Sequence, residues 1–225
     1  MIKKQDYVKK LEEQINNTLY ALSIKSIIYT YLPINKKQNS NNEMIISWNN
    51  HEPGKFNTGK KFLQLEQYEK ILKNNSYTCI LYDGSIIRLS YKFKNNNLIG
   101  HNLLWWPAPY FYEGISIDEI SPYDLFDEFI GEKDWHNILR MRSPVRIDFA
   151  PEQTSEIHSA THIHMQNENC RMVIDEPICF NRFIKFILDN YYPETDFFFD
   201  ESDNIKFEYE NDFNNIQYSN SKIIL

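Results

Sequence analysis

The stretch Ser143–Pro177, SPVRIDFAPEQTSEIHSATHIHMQNENCRMVIDEP, decides the fold and holds three of the six histidines. Side chains alternate between the two faces of a strand. In VRIDF, Val145, Ile147 and Phe149 therefore share one face, and Arg146 and Asp148 the other. In ATHIHM, Thr161, Ile163 and Met165 take the apolar side and His162 and His164 the polar side. Three strands are expected, over roughly 143–149, 160–166 and 170–174, with a turn at QNEN. An even-length turn keeps Ile163 and Met165 on the face of Cys170, Met172 and Ile174. An odd one would set the histidines among them. One clean apolar face is the better solution, and it leaves Arg171 beside the histidines. If both ends of the stretch share a sheet, its polar face carries Arg146, Asp148, His162, His164 and Arg171. His158 sits on the loop leading in.

A second meander precedes it. SYTCILY, the turn Asp83-Gly84 and SIIRLSYKF form a hairpin signal. Ile87, Leu89, Tyr91 and Phe93 fall on one face, and Arg88, Ser90 and Lys92 on the other. NNN turns the chain into LIGHNLLWW, which Pro107 and Pro109 end, because proline cannot donate to a sheet ladder. MIISWNN is a short strand. PINKKQNSNNE and EPGKFNTGK read as loops. Apolar residues at three- and four-residue steps predict a helix over residues 6–23, capped by Asp6. KFLQLEQYEKILKN predicts a second helix, Ser121-Pro122 opens a third, and Pro177 starts a fourth. The fold class is α+β, an antiparallel sheet built from two meanders and flanked by helices. A single domain over 1–205 with a polar, acidic tail over 206–225 is expected.

The 225 residues are 42% hydrophobic and 15% aromatic, enough to pack a core. The net charge of −7 argues against coating nucleic acid by bulk electrostatics, which needs many Lys and Arg contacts to phosphate. Three cysteines, an odd number without CxxC spacing, argue against a disulfide framework or zinc ribbon. The charged N-terminus has no apolar signal region, and the longest aromatic run, NLLWWPAPYFY, is too short to span a membrane. A soluble, cytoplasmic protein with no membrane partner is expected.

Half-exposed strands always alternate, so the polar face has an ordinary reading as a solvated surface or a satisfied network. Its residue types nevertheless favour phosphate, protons and metals. Three chemistries compete. His162 and His164 can ligate a divalent metal, zinc, manganese or iron, with Asp148 or His158 as third ligand. A histidine can serve as general acid or base, with Asp148 orienting it and Arg146 and Arg171 holding a phosphate. The same face can bind an anion without chemistry. The His-apolar-Thr/Ser repeat of two-histidine phosphoesterases is absent. So are a P-loop, GxSxG and HExxH. Trp105 and Trp106 are neighbours on a strand, so they point to opposite faces and cannot form one stacking platform. The acidic segment DFFFDESDNIKFEYENDF could dock on a basic partner, although a solvated edge is the simpler reading.

LYDGSIIRLSYKF, HNLLWWPAP, SPVRIDFAP and HSATHIHMQNENCRMVIDEPICFNRFIKFILDNYY, in this order, resemble the bacterial domain-of-unknown-function 2290 family over about residues 77–193. The resemblance implies an antiviral accessory or effector protein working with a helicase-type partner, and reaching nucleic acid through it. It carries over no catalytic residues. A nuclease or phosphoesterase using Asp148, His162 and His164, and a purely structural adaptor, are the alternatives.

Overall fold

The computed structural model describes residues 6–51, 64–110, 120–124, 127, 139–209 and 222–223. Helix α1, Tyr7–Ile24, starts where the Asp6 carboxylate accepts the Lys9 backbone N–H, satisfying one of the donors every helix start leaves open. Its stripe of Leu11, Ile15, Leu19 and Leu22 is fully buried. Strands β1 (Ile28–Tyr31), β2 (Asn35–Gln38) and β3 (Glu43–Ser47) follow. Then come α2 (Leu65–Lys73), β4 (Cys79–Leu81), β5 (Ile86–Lys94) and β6 (Asn97–Trp106). The second half supplies β7 (Val145–Phe149), β8 (Thr161–Met165), β9 (Asn167–Ile174), α3 (Phe180–Tyr191) and β10 (Lys222–Ile223).

The α+β expectation holds, and the two meanders form one sheet. Its order is β1-β4-β5-β6-β7-β8-β9-β10, joined through the β6–β7 pair. The free edge of β5 is divided. β4 pairs with its start, and β3, carrying β2 on its far side, pairs with Ser90–Lys94. All pairs are antiparallel except β10 with β9. Asn95 and Asn96 both take left-handed φ, 50° and 68°, which makes the tight turn that sets β5 against β6.

Several expectations need correction. PINKKQNSNNE is not all loop: Asn35–Gln38 pairs with β3, because β3 offers it a free backbone edge whatever its polarity. The last helix starts at Phe180 rather than Pro177. The Tyr91 hydroxyl donates to the Ile178 carbonyl, and the Ile178 N–H donates to His101 Nε2, both at 3.2 Å, so side chains hold this backbone outside the helix. The turn after β8 is Gln166, at φ 64°, and β9 begins at Asn167. A bulge absorbs the shorter turn, and Ile163 still faces Met172, as a clean apolar face requires. The stretch expected to be a polar tail contributes Phe207 to the core and Lys222–Ile223 to the sheet. EPGKFNTGK and most of the helix opened by Ser121 lie outside the described residues. Pro122–Asp124 is helical, and Asp124 N–H donates to the Ser121 hydroxyl at 3.2 Å.

One face of the sheet packs on α1 and α3 through Leu89, Tyr91, Phe93, Leu103, Trp105, Ile147 and Ile163. The other face is apolar at one end, where Ile86, Leu104 and Trp106 meet Tyr68, Ile71 and Leu72 of α2. Trp105 and Trp106 do point apart, and both are buried. Beyond that second cluster the same face turns polar. No described helix is long and apolar enough to cross a membrane.

Gly84 holds the β4–β5 turn at φ 84°, with Tyr68 donating to its carbonyl at 2.8 Å. A Cβ there would sit 2.7 Å from the Tyr110 hydroxyl oxygen. Gly84→Ala is expected to cost about 1–3 kcal/mol, read from the urea midpoint at unchanged slope.

Candidate metal centre

Residues directly opposite in adjacent strands project from the same face. Asn102 on β6 lies opposite Asp148 on β7, and Asp148 lies opposite His162 on β8. One step along, Arg146 lies opposite His164. The register alone therefore brings five polar side chains together. Val173 lies opposite His162, which puts Arg171, two residues earlier, on the same face.

Asp148 is the centre. Its Oδ2 accepts from Arg146 Nε at 2.8 Å and lies 3.3 Å from His164 Nε2 and 4.0 Å from His162 Nε2. Its Oδ1 accepts from Asn102 Nδ2 at 2.5 Å. The two histidine Nε2 atoms are 3.0 Å apart. His162 Nδ1 is 2.8 Å from the Ser159 carbonyl oxygen. A carbonyl only accepts, so that nitrogen carries the proton and His162 Nε2 keeps its lone pair. The His164 Nε2–H is then shared between that lone pair and Asp148 Oδ2. His164 Nδ1 is buried with no hydrogen-bond partner among the described residues.

This is no wet sheet face. His162 and His164 are 1% and 2% exposed. The cover is the β7–β8 connection. Ala150 N–H donates to the Ala160 carbonyl, Pro151–Gln153 forms a short turn, and Ser155 bridges His158. The Ser159 hydroxyl donates to the Thr161 carbonyl at 2.7 Å, fixing the segment that grips His162. The half-exposed His158 ring stands edge-on to His162, centroids 4.4 Å apart.

Burial pushes His162 down to about 4, despite the nearby Asp148 carboxylate, so it is neutral at pH 7. Burial pushes the Asp148 carboxyl up, but the hydrogen bond from His164 and the Arg146 guanidinium outweigh it and hold it well below the usual range. Burial and the charge of Arg171 lower His158. The site thus holds a carboxylate beside a neutral imidazole whose Nε2 lone pair accepts from His164.

One ligand atom each from Asp148, His162 and His164 lies within 4.8 Å of the others. Bonds of about 2.0–2.1 Å in a tetrahedral metal site put donor atoms about 3.3 Å apart. The separations of 3.0, 3.3 and 4.0 Å straddle that value. His158, expected as a further ligand, stands edge-on to His162 outside this cluster, and Arg171, expected as a phosphate clamp, shares the sheet face. Sequence reasoning missed Asn102 and Ser159. Asn102 had a signal, since it is a polar residue between Gly100 and Leu104 on one strand face. The Ser159 carbonyl had none, because any residue carries one.

Asp148→Asn keeps the shape and removes the charge that Arg146 faces. It is expected to cost about 2–3 kcal/mol of folding stability, measured by urea denaturation at pH 7. His101, buried in the core, is also pushed down to about 4. Both histidines protonate in the unfolded chain near the ordinary value of 6.5 and in the fold only near 4. Stability should therefore fall as pH drops through that window, by on the order of 1.4 kcal/mol per pH unit for each histidine, and level off below it.

No curated protein and no solved structure matches the chain. A family model described as an uncharacterized conserved protein, DUF2290, matches residues 28–224, from β1 through β10. The chain belongs to the DUF2290 family.

Proposed function

We propose that Asp148, His162 and His164 hold a divalent cation and that the protein is a metal-dependent phosphoesterase of the nuclease type. The observation that supports this best is the convergence of the three ligand atoms from two paired strands, with the His162 tautomer already set by Ser159. Metal-ligating histidines characteristically donate their other ring N–H to such an acceptor. An ion held by both Nε2 atoms would take the place of the proton between them, which would pass to His164 Nδ1 so that both imidazoles bind as neutral ligands. A zinc or manganese ion held by these three ligands would keep a position for water and would supply a hydroxide nucleophile for a phosphate ester. Arg146, bonded to Asp148 and 11% exposed on its side chain, adds positive charge beside the transferring phosphoryl group.

The setting we propose is that of an accessory or effector acting beside a helicase-type partner in bacterial antiphage defence, in the cytoplasm, with nucleic acid presented by that partner. The order of motifs from LYDGSIIRLSYKF to FILDNYY and the family membership support this reading. Failure of any helicase-type protein to co-purify with it from its native cells, with and without DNA, would remove it.

Thermal melting with and without manganese or zinc tests the centre. Either ion at 100 times its dissociation constant should stabilise the wild type by about 2.7 kcal/mol, a shift of several degrees. The His162→Ala/His164→Ala double variant should not respond. A wild type indifferent to both ions overturns the metal assignment. With the ion bound, cleavage of a labelled single strand should fall at least about 100-fold in Asp148→Asn. Equal cleavage by both proteins would place the chemistry elsewhere.

A further inference from the structure

Arg88, on the strand face it shares with Ser90 and Lys92, is 3% exposed. Its Nε and Nη1 are buried and have no hydrogen-bond partner. Among the described residues no carboxylate pairs with it, and its contact is with the indole of Trp48, Cζ lying 3.8 Å from the ring centroid. Trp48 is itself 5% exposed, and its indole N–H is a second buried donor without an acceptor. Three N–H-bearing nitrogens on two neighbouring side chains thus lack an acceptor in a place that water does not reach. Native folds rarely leave such groups unmet, and an absent ion is one of the standard explanations. Burial lowers Arg88 only to about 9, so it remains a cation at pH 7.

The position of Arg88 gives this pocket a partner. Arg88 lies opposite Leu104, Leu104 opposite Arg146, and Arg146 opposite His164. All four project from one face. Strands are about 4.8 Å apart, which sets Arg88 about 10 Å from Arg146 and about 14 Å from His164, measured along the sheet. The adjacent row carries Ser90 and Asn102, both half-buried and both polar. Small polar side chains, Ser90 and Asn102, therefore lie on this face in the row that leads to Asp148.

We infer that Arg88 and Trp48 form a second phosphate subsite, and that the substrate is a single-stranded oligonucleotide whose backbone crosses the sheet from Arg88 to the Asp148 centre. A strand carries one phosphate per 3.4 Å of stacked rise, so the gap corresponds to about three or four nucleotides. The subsite stands on Arg88 and Trp48 alone. The substrate length rests also on the metal-centre reading above. Arg88 forms the charge-assisted bonds and the indole N–H adds a third, beside the half-buried His51 ring, which lies 4.0 Å from the indole centroid.

The test is fluorescence anisotropy with labelled octathymidylate and octauridylate, in wild type, Arg88→Met, Trp48→Phe and His162→Ala/His164→Ala. Arg88→Met keeps the volume and removes an unpaired buried charge, so it should melt at or above the wild-type temperature. It should bind at least one of the two strands about tenfold more weakly, with the salt slope reduced by about one. Trp48→Phe keeps the ring under Arg88 and removes only the N–H, and should weaken binding severalfold. The histidine variant, which removes the other end of the path, should also bind more weakly than wild type. If Arg88→Met, or Trp48→Phe should the former not fold, binds both strands as wild type does, the subsite is overturned. So it is if Arg88→Met melts well below wild type with binding intact, which makes Arg88 a structural residue. Loss of binding in Arg88→Met beside a wild type that takes no metal keeps the subsite and removes the hydrolytic reading. Preference between the two strands identifies DNA or RNA.

Discussion

Five residue pairs between Val145–Phe149 and Thr161–Met165 carry the whole site. They oppose Asp148 to His162 and Arg146 to His164. At the same time they oppose Ile147 to Ile163 and Val145 to Met165 on the other face. The two sets cannot be separated. Sliding one strand by a single residue would turn Ile163 towards the arginine and a histidine into the packing under α1 and α3. The apolar contacts that stabilise the fold are therefore what hold the polar groups in register. Neither strand is extended beyond five residues, and β6 and β9 on either side hold the pair in place.

Dryness is the second constraint. A histidine pair and an aspartate on an open sheet would be solvated, and their mutual interactions would be weak. Here the loop between β7 and β8 folds back and leaves the histidines almost without exposure. Burial disfavours the charged imidazole, so His162 stays neutral beside a carboxylate that remains charged. The carboxylate in turn stays charged because Arg146 and Asn102 meet it with direct hydrogen bonds. A neutral nitrogen donor and a charged oxygen donor in one dry space suit a divalent cation better than they suit water.

The same face changes character along its length. Under α2 it is an apolar core built from Leu104, Trp106 and Tyr68, and a few residues on it becomes polar. Arg88 stands at that boundary, stacked on Trp48. Its burial follows from the neighbouring cluster, since the strand that places Ile86 under α2 carries Arg88 on the same side. Such a position converts an ordinary strand arginine into a desolvated cation, whose attraction for an anion is far stronger than that of a surface residue.

The sequence by itself determined a good deal. Alternation in VRIDF and ATHIHM paired Arg146 with Asp148 and His162 with His164 on polar faces that meet only if the strands share a sheet, and the three- and four-residue steps from Leu11 to Leu22 marked α1 with its Asp6 cap. These are local periodicities, set by backbone geometry within a few residues. The register of β9 was also legible, because only one parity gives a clean apolar face, although the bulge that achieves it was not. Three things needed the tertiary structure. That β6 pairs with β7, making one sheet of two meanders, is a contact across a long connection that no local pattern encodes. The burial of His162, His164 and Arg88 comes from loops and clusters that cover the face, and alternation distinguishes faces without saying which of them is wet. The start of α3 at Phe180 was decided by Tyr91 and His101, distant residues that take the backbone groups of Ile178 for themselves.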